Sequence, residues 1–223
     1  MSLEHGEQRT APVFPRLRWV LLAWLAVWVP TYVWSSGWAN FLQLCDVGVF
    51  LTCLGIWRGS ALLLSSQAVG TLIVSGIWML DVGARLVSGH HLIGGTEYMW
   101  NSASPLFVRL LSLFHVASVP LLLWSLRRTG YDRRGLGLMA AIAAVALVAA
   151  RLVSNPVGNM NFAFRDPFFH RPWDPAPLHL LLSFLVLSLG AFVPTHLVLA
   201  RALPRAEVAD VRRGTRSTPR PAT

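Results

Sequence analysis

Residues 127–153 read RRTGYDRRGLGLMAAIAAVALVAARLV. Four arginines crowd the first eight positions, and no ionisable side chain then appears from Gly135 to Ala150. A helix rises about 1.5 Å per residue, so crossing a hydrocarbon core of about 30 Å takes roughly 20 residues. Gly135–Val153 therefore reads as one membrane crossing. The arginine-bearing turn before it has to stay in water or among headgroups.

The same alternation continues in both directions. Towards the N-terminus, apolar stretches run over Pro105–Leu126, Ala61–Leu80, Trp38–Trp57 and Leu17–Trp34. Towards the C-terminus, one more runs over Pro177–Leu203. The expected fold is all-α, a polytopic bundle of about six transmembrane helices. Residues 1–16 read as an N-terminal tail, 17–203 as the transmembrane domain and 204–223 as a basic, disordered tail. Residues 81–104 and 154–176 read as two longer polar connections on one side. Composition agrees: hydrophobic residues make up 54% and charged residues 13%, against about 25% charged in soluble domains. So few charges cannot cover a water-facing surface, which makes lipid the solvent for much of the chain.

All 19 basic residues are arginine, with a net charge of +9. Assigned to alternate sides of six crossings, 14 fall with the two termini, and Arg85, Arg109, Arg151, Arg165 and Arg171 fall opposite. The arginine-rich side is expected to be cytoplasmic, with both ends inside and the protein in a cell inner (plasma) membrane. Arginines confined to turns and tails argue for lipid contact and against nucleic acid as a partner. Cys45 and Cys53 stand about 12 Å apart if they share a helix. A disulfide needs Cα atoms within about 7 Å, so the two are not bridged to each other.

Ionisable groups inside spans are costly and point to function. Asp46 lies within the second stretch, with Asn40 and Gln43 at three-residue spacing before it. The three form either a structural polar seam against a neighbouring helix or part of a site. Cys45 precedes Asp46, and His115 lies at a comparable depth in the fourth stretch. A cysteine beside a histidine base makes an activated nucleophile, and a carboxylate can orient the pair. The plainer alternative leaves Cys45 as a packing residue and His115 bonded to a backbone group or a serine. At the outer rim, Arg109 and Arg151 either pair with Asp81 or Glu97 or hold a phosphate headgroup. Asn159 and Asn161 follow. His90, His91 and Glu97 match no compact metal-ligand spacing, and neither metal nor cofactor is expected.

Leu42-Gln43-Leu44-Cys45-Asp46, Met79-Leu80-Asp81, Leu113-Phe114-His115, Asn159-Met160-Asn161-Phe162 and Pro172-Trp173, in that order on successive spans, resemble the motifs of the YwaF-like integral membrane family. That group includes a cysteine-dependent transmembrane phospholipid acyltransferase. The resemblance covers roughly residues 38–176. The chain departs from the family pattern at Gln43, where a histidine is usual, at Met79-Leu80, where Thr-Pro is usual, and at Phe162, where tyrosine is usual. The resemblance implies an acyl thioester on Cys45, His115 as base, and Asp81 and Asn161 in support. The expected function is lipid acyl transfer on membrane phospholipid. The alternatives are a small transporter or channel using Gln43, Asp46 and His115, or a non-catalytic subunit of a membrane complex.

Overall fold

A computed structural model describes residues 13–206. Most of the two predicted tails, residues 1–16 and 204–223, lies outside the described residues. Within them the chain forms α1 (Leu17–Ser36), α2 (Leu44–Arg58), α3 (Ala61–Ser88), α4 (Leu106–Leu111), α5 (Phe114–Thr129), α6 (Gly135–Val153), α7 (Ala176–Leu187) and α8 (Val193–Ala202). Leu17–Ser36, Ala61–Ser88, Leu106–Thr129, Gly135–Val153 and Ala176–Ala202 are each long and apolar enough to cross a membrane. The protein is an all-helical, polytopic integral membrane bundle.

Side-chain contacts give the helix directions. Trp19 meets Trp57, Trp28 meets Phe50 and Tyr32 meets Phe41, so α2 runs antiparallel to α1. Gly135 abuts Ser65 and Ser66, and Gly70 abuts Met139, so α3 and α6 run parallel. The chain passes through the bundle six times, and both described ends return to the same face. There the Phe14 ring lies 5.4 Å from Trp124. The Tyr131 N–H donates to Pro204 O at 2.8 Å, and the Ala206 N–H donates to Tyr131 O at 3.1 Å. Gly130 makes this closure possible. Its φ is 76°, a backbone conformation that L side chains rarely adopt, and a Cβ would stand 2.6 Å from the Ala206 Cα. This face carries Arg16, Arg58, Arg127 and Arg128, in keeping with the expected arrangement of the termini.

The turn between α2 and α3 is built locally. Gly59 takes φ 63°, its N–H donates to Ile56 O, and the Ser60 N–H reaches back to Gly55 O at 2.8 Å. This pairing satisfies carbonyls that a helix end otherwise leaves open. The Ser60 hydroxyl then accepts the Leu63 N–H and starts α3. Helix α3 is the central post, packed against α2, α5, α6 and α8. Its buried face includes Leu64, Ala68 and Val69, which join Leu122, Leu126, Met139 and Phe192 in the larger core cluster. A second cluster of rings, centred on Trp28, fills the other half of the bundle.

Four sequence expectations need correction. The second stretch is not one helix: Trp38–Leu42 is a 3-10 turn, Gln43 is extended (ψ 132°), and only Leu44–Arg58 is α-helical. Its 15 residues span about 22 Å. The third helix continues beyond Leu80 to Ser88, so Asp81 and Arg85 are helical residues rather than loop residues. At about 42 Å it outruns the hydrocarbon core and projects at the rim. The fourth pass breaks at Ser112-Leu113, where three-residue hydrogen bonds replace the α ladder. The sixth begins at Ala176 and contains a π turn over Ser188–Phe192.

Candidate functional site

The breaks in the second and fourth passes lie on either side of one buried polar network. Its centre is the first turn of α2. Asn161, on the 3-10 turn Met160–Phe162, holds both sides of the Gln43 break. Its Oδ1 accepts the Leu44 N–H and its Nδ2 donates to Leu42 O, both at 2.8 Å. The Gln43 carbonyl accepts the N–H groups of Asp46 and Val47. Among the described residues, that leaves the Cys45 N–H as the unpaired donor of the first turn. Among the described residues the Gln43 side chain makes no hydrogen bond, and its part is played by its backbone.

Asp46 is buried. Its Oδ2 accepts the Asn40 amide at 2.7 Å, and its Oδ1 accepts the Cys45 thiol at 3.7 Å. Asn40 and Asp46 thus meet, but through the fold of the chain at Gln43 rather than along one helix face. Nearby, the Tyr32 hydroxyl pairs with Ser112 Oγ at 3.0 Å, and the Trp78 indole donates to the Tyr98 hydroxyl at 3.0 Å. These hydroxyl and indole groups, with Ser75, were missed in the sequence because each one alone reads as packing. Only the Asn40, Gln43 and Asp46 spacing signalled the place.

His115 is buried on the same side of the bundle, and its Nδ1 pairs with Ser75 Oγ at 3.2 Å. Its ring stacks on Trp78 at 5.0 Å and on Phe114 at 4.3 Å. Among the described residues no hydrogen bond joins His115 to Cys45. The thiol's partner is Asp46.

The rim residues hold loops. Asp81 is fully buried, and its Oδ1 accepts the N–H groups of Leu92, Ile93 and Gly94 at 2.8–3.1 Å. Its Oδ2 faces His91 Nδ1 at 2.8 Å and the Thr96 hydroxyl. With both oxygens so occupied, Asp81 ties the 91–96 loop to the top of α3 and has no free lone pair to offer a substrate. Asn159 Oδ1 accepts the N–H groups of Phe164 and Arg165, and its Nδ2 donates to Arg165 O. Arg109 donates to Met99 O at 2.8 Å. Arg151 donates to Ala163 O at 3.2 Å and lies over the Phe164 ring. Among the described residues neither arginine pairs with a carboxylate. Glu97 accepts the Gly95 N–H, so it and His91 serve separate contacts.

Next to the network is a groove of about 370 Å³ between α1, α2 and the α4–α5 pass. Trp24, Val49, Cys53, Leu111, Phe114 and Ala117 are among its walls. Val49 lies one turn below Cys45 on α2, and Thr52, also in the wall, falls almost directly beneath Cys45 around the helix axis. Phe114 is adjacent to His115. Cys45 and Asp46 thus stand in the first turn of the helix whose Val49, Thr52 and Cys53 line this apolar trough. No family model, curated protein or solved structure matches this chain.

Proposed function

We propose that this integral membrane protein is a lipid acyltransferase in which Cys45 carries the acyl group. The observation that supports it most is the Cys45–Asp46 pair, thiol to carboxylate at 3.7 Å, at the start of a helix that begins inside the bundle. Sulfur is an effective acyl carrier once a base removes its proton. Asp46 is the group in hydrogen-bonding contact with the thiol and takes that role. His115 supports the site from Ser75 and Trp78.

The reaction balances without another reactant. Asp46 accepts the Cys45 proton as the sulfur attacks the ester carbonyl of an acyl lipid. The new C–S bond forms, the ester C–O bond breaks, and the proton goes to the departing lipid oxygen. In the second half an acceptor lipid hydroxyl gives its proton to Asp46 and attacks the thioester. The C–S bond breaks and the sulfur recovers the proton. The Cys45 N–H, at the positive end of α2, is the donor assigned to the oxyanion of each tetrahedral intermediate. The ordered motifs that resemble those of the YwaF-like family, from Leu42–Asp46 to Pro172-Trp173, favour the same chemistry. In this reading the arginine-rich face lies in the cytoplasm. A transport path would need a polar lining, whereas the groove wall is apolar apart from Thr52, Cys53 and Ser118.

The test is acyl trapping. Purified protein is incubated with vesicles containing a labelled acyl phospholipid, and Cys45 is examined by mass spectrometry. A hydroxylamine-labile adduct on Cys45 is expected. It is lost in Cys45→Ala and forms about 10²–10⁴ times more slowly in Asp46→Asn. An unmodified Cys45 in the wild-type protein, with label transfer absent, would end the proposal.

A further inference from the structure

The groove between α1, α2 and α4–α5 has no assigned role in the reaction beyond its position. Its wall on the fourth pass runs from Leu110 to Leu121. Eleven residue steps, a few of them at the steeper 3-10 rise of the Ser112-Leu113 break, correspond to about 16–18 Å. That is close to half of a hydrocarbon core of about 30 Å, the depth of a single leaflet. Val20, Leu110 and Leu113 in its wall are exposed on helices that cross the membrane, so the medium at its open side is hydrocarbon. The trough is long, apolar and one leaflet deep. The buried polar groups Ser112 and His115 adjoin its wall residues Leu111, Leu113 and Phe114 along the chain, and buried Asp46 lies about one helical turn above Val49 on α2.

We infer that this groove holds one acyl chain of a bilayer lipid, with Ala117 setting how far the chain descends. A chain with a polar ester at its upper end matches both parts of the site: hydrocarbon along Val49, Phe114 and Leu121, and ester beside the Cys45–Asp46 pair. A peptide would need partners for its backbone polar groups, which this wall does not supply. Ala117 is the smallest side chain of the α5 wall and lies one turn above Leu121. A larger residue there shortens the trough from below. The inference rests on the acyl-transfer reading for the identity of the polar end, but chain binding can be tested without turnover.

The first measurement uses Cys45→Ala in vesicles containing a phosphatidylglycerol whose hexadecanoyl chain carries a diazirine. Photolysis is expected to label residues 49–53 and 110–121 well above the lipid-facing positions of α6, such as Val145 and Leu152. The second compares acyl adducts on Cys45 in wild type and Ala117→Phe, with Ala117→Ile as a gentler variant. The ratio of hexadecanoyl to octanoyl adduct is expected to fall at least about tenfold in Ala117→Phe. Even labelling around the bundle, with Cys45 still acylated and chain preference unchanged, would overturn the groove assignment and leave the acyl-transfer reading intact. Groove labelling with no Cys45 adduct in the wild-type protein would support the chain site and overturn the reaction.

Discussion

The side chain of Asn161 accepts the backbone N–H of Leu44 at 2.8 Å, from 117 residues further along the chain. With its second bond to Leu42 O, it spans the Gln43 break and fixes where α2 starts. A helix start within a bundle leaves N–H groups to be satisfied by something other than its own ladder. Here a rim turn between α6 and α7 supplies that partner. The position of Cys45 therefore depends on a residue in a distant loop.

Asn161→Ala removes both bonds and leaves two polar backbone groups half-buried and unpaired. A loss of about 1–3 kcal/mol in unfolding free energy is expected. Chemical denaturation in detergent gives the number. Asn161→Asp keeps the acceptor for Leu44 but loses the donor to Leu42, and should recover part of the loss. No recovery would mean that the Leu44 bond contributes little.

Asp81→Ala should free the 91–96 loop, because one buried carboxylate accepts from three backbone N–H groups and the Thr96 hydroxyl while facing His91. The expected cost is about 3 kcal/mol or more. Hydrogen exchange at Leu92, Ile93 and Gly94 should accelerate first. Protection unchanged at those three amides would show that the loop is held by other contacts.

Gly135→Ala and Gly137→Ala differ by half a helical turn and should behave oppositely. At Gly135 a Cβ would stand 2.8–2.9 Å from Ser65 and the Ser66 nitrogen, so α3 and α6 must separate. Overpacking of that kind costs about 1–3 kcal/mol. At Gly137 nothing lies within 4 Å, and alanine's better helix propensity should stabilise by up to about 1 kcal/mol. Melting temperatures of the two variants, measured in one detergent, decide the matter. Equal shifts would argue against close α3–α6 packing.

Asp166 makes the rim loop acid-sensitive. Desolvation opposes its charge. The N–H groups of Phe169, Arg171 and Phe168 and the Trp173 indole outweigh that and hold the carboxyl below the ordinary carboxylate range. A depressed carboxyl contributes stability that is fully present above its unfolded value of about 3.9 and is lost as pH falls through the folded value. Cleavage by pepsin between Phe168 and Phe169 should therefore rise steeply as the solution is acidified below about pH 4. Asp166→Asn should be cleaved readily throughout the acid range. A wild-type cleavage rate that follows only the protease's own pH profile would remove the assignment.

The crossings were legible in the sequence because hydrocarbon imposes one local rule: long stretches without charge, bounded by arginines that must stay at the surface. Gly135–Val153 needs no partner to be recognised, and the excess of arginine near the termini does not depend on how helices pack. The breaks at Gln43 and Ser112-Leu113 were not legible, since neither has a glycine or proline to mark it. At Gln43, Asn161 from a remote part of the chain satisfies the backbone groups that the break exposes; at Ser112-Leu113, three-residue hydrogen bonds keep the backbone paired and the Ser112 hydroxyl meets Tyr32 of α1. The same holds for the site. Cys45, Asp46 and His115 stand out as polar residues in apolar stretches, but the pairing of Cys45 with Asp46, of His115 with Ser75 and of Asp81 with the 91–96 loop was decided by packing. Burial forces each polar group to find a hydrogen bond, and which partner is within reach is a property of the assembled bundle alone.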